Sequence, residues 1–204
     1  MTSGLGLRAD GPLSYPQIER LAARLRETLQ FAATQLLPGL RLFESLNRHH
    51  VVIENRRYDL NYAVDGLMVE AQAEFEPETL EFVVKLREDT YRLLELDDPR
   101  SRFSLAHEIG HIVLHAVQLM RLSSIPHSMT PALYRGKADH PIYRDTEWQA
   151  NAFGAALLMP AAGIREIATR KPLTTGVLRN AFGVSHTAAT KRLEVYGRKK
   201  DELI

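Results

Sequence analysis

Apolar residues recur along this chain at two spacings, one helical and one alternating. Residues 14–37 carry a helical pattern that stops at Pro38-Gly39. Residues 50–54, 66–75 and 80–86 are strand candidates, and a short helix is predicted from Asp89 onward. Strands grouped beside helices favour an α+β fold with a small antiparallel sheet. The sequence does not show which strand lies at the sheet edge, where an extended peptide could add as a further strand.

A second helical pattern begins at Asp98-Pro99, an N-cap followed by a proline at the first helical position. It contains the run His107-Glu108-Ile109-Gly110-His111. Residues four apart share a helix face, so His107 and His111 can reach one metal ion. Glu108 lies beside that face, where a carboxylate can take a proton from the attacking water. H-E-x-x-H alone is only moderately specific, and a buried helix with hydrogen-bonded histidines is the alternative interpretation.

A catalytic zinc site usually has three protein ligands and one open position, so a further ligand must come from another element. The chain has no cysteine, which leaves His, Asp or Glu. Glu147 is the best candidate, because it opens another apolar helical segment that ends at Pro160. Asn151, one turn later, could accept a hydrogen bond from a ligand imidazole and fix its tautomer. Alternatively, Glu147 is an ordinary first-turn glutamate favoured by the helix dipole. We expect Asp145→Ala to leave metal binding intact.

The run from Arg102 to His111 is followed by the pattern Glu147-x-x-Ala150-Asn151-x-Phe153-x-Ala155-x-Leu157-Leu158-Met159-Pro160. These two motifs, in this order, resemble those of the ImmA/IrrE family of bacterial regulatory metallopeptidases. The resemblance covers residues 80–195 and implies a zincin-like metallopeptidase domain. It implies a zinc ion held by His107, His111 and Glu147, with Glu108 as the catalytic carboxylate. Characterised members of the family cleave or inactivate a helix-turn-helix repressor.

Other residues near the motifs carry weaker signals. Gly154 stands where alanine is more usual in the family, at some cost in helix propensity. His115, one turn past His111, fits a partly buried histidine at a helix end better than a ligand. The long connection at 118–145 must pass the cleft, so His127 and His140 could approach substrate or metal. Its tyrosines are either donors to the oxyanion of the attacked carbonyl or packing residues, and the candidates are Tyr134 and Tyr143.

Residues 171–204 have the pattern of a helix-turn-helix. Gly183 can make the turn and Ser185 can cap the following helix. Five cations could meet phosphates, namely Lys191, Arg192, Arg198, Lys199 and Lys200. The start of the second helix has no arginine, asparagine or glutamine to read a base edge, and similar helix pairs occur within the family's peptidase domain. We therefore favour a scaffold or partner-docking role and expect at most weak DNA binding.

Composition adds three constraints. A chain of 204 residues suits one domain with appendages: a helical segment at 1–48, a metallopeptidase core at 49–170 and C-terminal helices at 171–204. The 45% apolar fraction, the absence of cysteine and the absence of a long apolar run predict a globular cytoplasmic protein. The net charge of +1 gives no general attraction to nucleic acid.

The sequence therefore predicts a zinc-dependent endopeptidase of narrow specificity that inactivates a repressor encoded nearby, and thus acts as an antirepressor. The repressor as partner follows from the resemblance alone. Mn²⁺ or Fe²⁺ could also occupy a His/His/Glu site, because geometry and availability decide. Two alternatives stay open: a DNA-binding regulator with a structural zinc, and an adaptor that binds its partner without cutting it. Glu108 counts against the adaptor, because a structural site needs no carboxylate beside an open position.

Overall fold

The computed structural model describes residues 7–124 and 141–203, in which helices pack around one small sheet. Within these ranges, no helix is long and apolar enough to cross a membrane. Single 3-10 turns lie at Leu46–Arg48 and Ile142–Arg144. The other elements are α1 (Tyr15–Thr28), α2 (Gly39–Ser45), β1 (His50–Ile53), β2 (Arg56–Asp65), β3 (Ala71–Glu76), β4 (Glu81–Arg87), α3 (Glu88–Glu95), α4 (Pro99–Ser123), α5 (Thr146–Leu158), α6 (Ala161–Ala168), α7 (Thr175–Phe182) and α8 (His186–Lys199).

The sheet is mixed, so the prediction of an antiparallel sheet is wrong for one of its pairings. Its strand order is β1-β2-β4-β3, and β2 runs parallel to β4 while the two outer pairs are antiparallel. The link at 66–70 carries the chain from the end of β2 to the far edge of the sheet. After the turn at 77–80, β4 returns between β2 and β3 in the direction of β2. This path leaves β3 as an edge strand, packed beside α4.

Two elements differ from the pattern-based prediction in their extent. The strand expected at 66–75 begins only at Ala71, because residues 66–70 form the link between β2 and β3. The first helix ends at Thr28 and does not continue toward Leu37, since Gln30 takes a left-handed backbone with φ of 59°. The pattern-based prediction contains no counterpart of β2. The division of the chain at residues 48 and 170 stays a prediction.

Two buried arginines connect the terminal helices to the rest of the fold. Arg102 of α4 donates to the carbonyl of Leu37 and to that of Gly183, in the turn between α7 and α8. Arg192 of α8 is only 3% exposed and pairs with Glu19 of α1 at 2.7 Å. The prediction that Arg192 could meet phosphates is therefore wrong. A charge in the interior needs a partner there, and Glu19 is that partner.

Glu19→Ala should destabilise the fold strongly, because it leaves the Arg192 guanidinium buried without its carboxylate. Removing one member of a buried ion pair typically costs about 3–5 kcal/mol. Glu27→Ala, at an exposed position of the same helix, is the control and should change the free energy of unfolding by less than about 0.5 kcal/mol. Urea unfolding followed by circular dichroism measures both. Equal midpoints for the two variants would contradict a structural role for the pair.

Candidate metal centre

Helices α4 and α5 approach each other closely at the level of the H-E-x-x-H motif. A Cβ atom on Gly110 would lie 3.2 Å from the Cα and carbonyl oxygen of Ala150. A Cβ atom on Gly154 would lie 3.3 Å from the backbone nitrogen of His107. These separations are tighter than ordinary van der Waals contact, so the two glycines permit this crossing. Gly154, which departs from the family's usual alanine, thus has a packing role that its helix propensity does not reveal.

Backbone contacts with residues near the N-terminus fix the start of α5. Asp145 caps this helix, and its side chain accepts the N–H of Trp148 at 2.8 Å. An isolated β-bridge joins Asp145 to Arg8, and Thr146 donates its N–H to the carbonyl of Leu7. Asp145 is thus a buried cap, and replacing it with alanine would disturb the helix that carries Glu147. Asp145→Ala is consequently unsuitable as a neutral control for metal binding.

His107, His111 and Glu147 meet between α4 and α5. The two histidine Nε2 atoms are 3.0 Å apart. The Glu147 carboxylate oxygens lie 3.2 Å from Nε2 of His107 and 3.3 Å from Nε2 of His111. Ligand atoms around a tetrahedral zinc ion with bonds of about 2.0–2.1 Å are roughly 3.3 Å apart. The donor types and their spacing therefore fit a metal ion, and this is the one such three-residue group in ranges 7–124 and 141–203.

The electrostatics of the cluster also suit a cation. Hydrogen bonds to His107 and His111 hold the pKa of Glu147 well below its usual value, although burial acts in the opposite direction. Burial acts to lower the pKa of His107, but the hydrogen bond to Glu147 and the charges of Glu108 and Glu147 outweigh it and raise that pKa. An ionised carboxylate therefore faces the imidazoles, and a carboxylate must be deprotonated to bind a metal.

Glu108 and Asn151 lie on either side of the cluster. Glu108 Oε2 accepts the backbone N–H of Ala73, in edge strand β3, at 2.7 Å. Burial raises the pKa of Glu108, while the two histidines and the Ala73 N–H act to lower it. Asn151 Oδ1 lies 3.2 Å from Nδ1 of His107, where it accepts a hydrogen bond if that nitrogen carries the proton. Sequence reasoning missed Ala73, because the group that contacts Glu108 belongs to the backbone.

Three other histidines and two tyrosines were candidates from the sequence. His115 is buried at a kink within α4, with φ of −131°, and burial lowers its pKa to about 4. Two helical segments meet at this kink, so His115 stands at the end of the first of them, as predicted, and the second continues to Ser123. Tyr143 lies in a 3-10 turn before α5 with 47% of its surface exposed, and its oxyanion role stays a prediction. The remaining candidates, Tyr134, His127 and His140, lie outside the described residues.

The His-His-Glu cluster suggests a metal site, and the mixed α/β fold is compatible with the family that the chain resembles. Residues 94–194 match a peptidase family model described as the IrrE N-terminal-like domain, and this match confirms the ImmA/IrrE-type family resemblance. A transcriptional regulator of Mycobacterium tuberculosis shares the fold with a TM-score of 0.50 and 15% identity. That similarity covers 87% of this chain but 46% of the regulator, so the chain spans about half of its length. No curated protein matches the chain in sequence.

Glu147→Ala should lower metal affinity by more than roughly 100-fold, since the loss of an outer-shell partner alone costs about 10–100-fold. Elemental analysis of purified protein is expected to show one zinc ion per chain for the wild type and little for the variant. Glu78→Ala, at an exposed position in the turn between β3 and β4, is the control and should keep its zinc. Full zinc occupancy in Glu147→Ala would refute the ligand assignment.

Proposed function

We propose that this protein is a zincin-like metallopeptidase of narrow specificity that cuts an extended segment of a helix-turn-helix repressor. The family match supports a metallopeptidase or regulatory role. The observation that carries the peptidase chemistry is the position of Glu108, which lies beside the His-His-Glu cluster and contacts the edge strand. The repressor as substrate rests on the family resemblance.

Zinc is the metal that we propose for the cluster. His107, His111 and Glu147 would hold it, and Asn151 would orient the His107 imidazole through Nδ1. When bound, the metal supplies Lewis-acid polarisation of the scissile carbonyl. This donor set has three members, which is the number that leaves one coordination position open in catalytic zinc sites.

The outer edge of β3 is suited to pairing with an extended peptide. The carbonyl of Glu70, just before β3, accepts the N–H of Arg87 at the end of β4. Backbone groups alternate sides along an antiparallel strand, so those of Ala71 and Ala73 point away from β4. The hydrogen bond from Ala73 to Glu108 is consistent with this orientation. A substrate that added to β3 would therefore run past Glu108 and the cluster.

Glu108 has the environment of a general base. It is partly buried, and burial raises its pKa, which brings the carboxylate closer to the basicity of a group that accepts and returns a proton near neutral pH. In the proposed reaction Glu108 takes a proton from the water that attacks the peptide carbonyl. The same oxygen then delivers that proton to the nitrogen of the leaving amine, so the carboxylate is restored.

The packing of α8 argues against the alternative of a sequence-specific DNA-binding regulator. The left-handed Gly183 and the Ser185 cap give α7 and α8 the predicted turn. At the front of α8, however, Thr190 contacts Thr175 of α7. The exposed side chains there, His186 and Thr187, are not the arginine, asparagine or glutamine that usually read base edges in the major groove.

Glu108→Gln should abolish cleavage while keeping the fold and the metal, because an amide cannot accept the proton of the attacking water. We expect a loss of at least about 100-fold when the repressor encoded beside this gene is incubated with the protein and followed by intact mass. Glu166→Gln, on α6, is the control and should retain full activity. If Glu108→Gln relieves repression in cells as well as the wild type does, catalysis is unnecessary and the adaptor hypothesis replaces the enzyme hypothesis.

DNA binding should be weak, sensitive to salt and independent of sequence, because the front of α8 offers no arginine, asparagine or glutamine to read a base edge. Lys191 lines the hollow beside the cluster and Lys199 is paired with Glu202, so Arg198 and Lys200 are the exposed cations to test. Reversing both to glutamate should reduce any residual binding equally for all duplexes. A mobility-shift titration at physiological salt is the measurement. Tight binding to one sequence over a scrambled competitor would make DNA recognition the leading function.

A further inference from the structure

A hollow of about 1000 Å³ opens beside the cluster, between α4, α5 and α8. Its lining includes Glu147 and Asn151, so it begins at the proposed metal site. A smaller hollow of about 490 Å³ reaches Glu108 and Ala71 of the edge strand. The two hollows share five lining residues, which include Phe103 and Asn151. One groove therefore runs from β3, across the cluster, to α8.

The part of the groove beyond the cluster has mainly apolar walls. Each of the three helices contributes a bulky side chain, and these are Phe103, Trp148 and Val195. Between them, Ala152 and Ala155 leave space that larger residues would fill. Tyr15 of α1 supports the wall by packing edge-on against Trp148, with ring centroids 5.0 Å apart. A concave, apolar space of this kind fits a bulky apolar side chain.

Lys191 gives the α8 wall of the groove a positive charge. It is exposed and forms no ion pair with any residue in ranges 7–124 and 141–203. The other basic residues that line the larger hollow are paired, Arg100 with Glu70 and Arg192 with Glu19. The groove thus combines an apolar hollow with a cation available to an incoming carboxylate.

We propose that this hollow is the specificity pocket of the peptidase. It takes a bulky apolar side chain close to the scissile bond, and Lys191 selects an acidic residue further along the same substrate segment. The inference rests on the proposed peptidase function and names the sequence class that this site would cut. It also gives α8 a role as a wall of the substrate groove.

Trp148 is the only tryptophan in the sequence, so its emission reports directly on this hollow. The experiment uses the zinc-loaded Glu108→Gln protein, in which binding can be measured without cleavage. The probes are short, blocked glycine–serine peptides carrying one leucine, followed at several spacings by aspartate, serine or lysine. We expect leucine–aspartate peptides to change the Trp148 emission at lower concentration than the serine and lysine versions.

Two substitutions, each made in the Glu108→Gln protein, test the two parts of the pocket. Lys191→Glu should reverse the preference, so that lysine peptides bind about threefold to fivefold more tightly than aspartate peptides. High salt should weaken this preference. Ala155→Leu should fill the hollow and weaken binding of every leucine peptide by about tenfold or more. Lys171→Glu and Ala162→Leu, at exposed positions outside the lining, are the matched controls. They should change neither the preference between aspartate and lysine peptides nor the affinity for leucine peptides. Thermal melting verifies that each variant is folded.

The outcomes separate this inference from the proposed function. No change in Trp148 emission with any peptide up to millimolar concentration, or an unchanged preference in Lys191→Glu, would overturn the pocket. Binding as expected, without cleavage of the same peptides by the wild type, would support the pocket and count against the peptidase. Cleavage that is unaffected by substitution of Lys191 and Ala155 would support the proposed peptidase function and overturn the proposed pocket.

Discussion

The close crossing of α4 and α5 is the constraint on which the candidate site depends. α4 supplies both histidines and α5 supplies the glutamate, so the separation of the two helices sets the distances within the cluster. A side chain at Gly110 would press on the facing backbone of Ala150 by a few tenths of an ångström. Metal sites are recognised by ligand distances within about 0.2 Å of their usual values. The helix propensity lost at Gly110 is thus offset by the close approach that brings His107 and His111 to Glu147.

The terminal regions hold this crossing in place. Residues 7–9 pair with the chain just before α5, and the Glu19–Arg192 ion pair joins α1 to α8. Arg102, on the same helix as the metal motif, donates to the turn between α7 and α8. The helix-turn-helix-like pair is therefore packed against the rest of the fold. In this setting α8 serves as a wall beside the cluster.

Features set by local spacing could be predicted from the sequence, whereas features set by distant pairing could not. The helix start at Asp98 and the shared face of His107 and His111 need only neighbouring residues. β2 was missed although Tyr58, Leu60 and Tyr62 alternate, and its parallel pairing with β4 depends on the path of the link at 66–70. Arg192 looked like a surface cation because its partner lies 173 residues away in sequence. The hydrogen bond from the backbone N–H of Ala73 to Glu108 could not be predicted from side-chain patterns, because the donor belongs to the backbone.

The narrow specificity that we propose would follow from the two kinds of contact that this groove offers. Main-chain hydrogen bonds along β3 are the same for every extended peptide, so the edge strand alone cannot select a substrate. Selection must come from side chains, where one methylene in an apolar pocket contributes only about 1–3 kcal/mol. An apolar hollow combined with the charge of Lys191 discriminates at two positions at once. Strand addition to β3 also requires an extended partner, so the proposed cleavage would be restricted to linkers or locally unfolded segments of the substrate and would exclude folded helices.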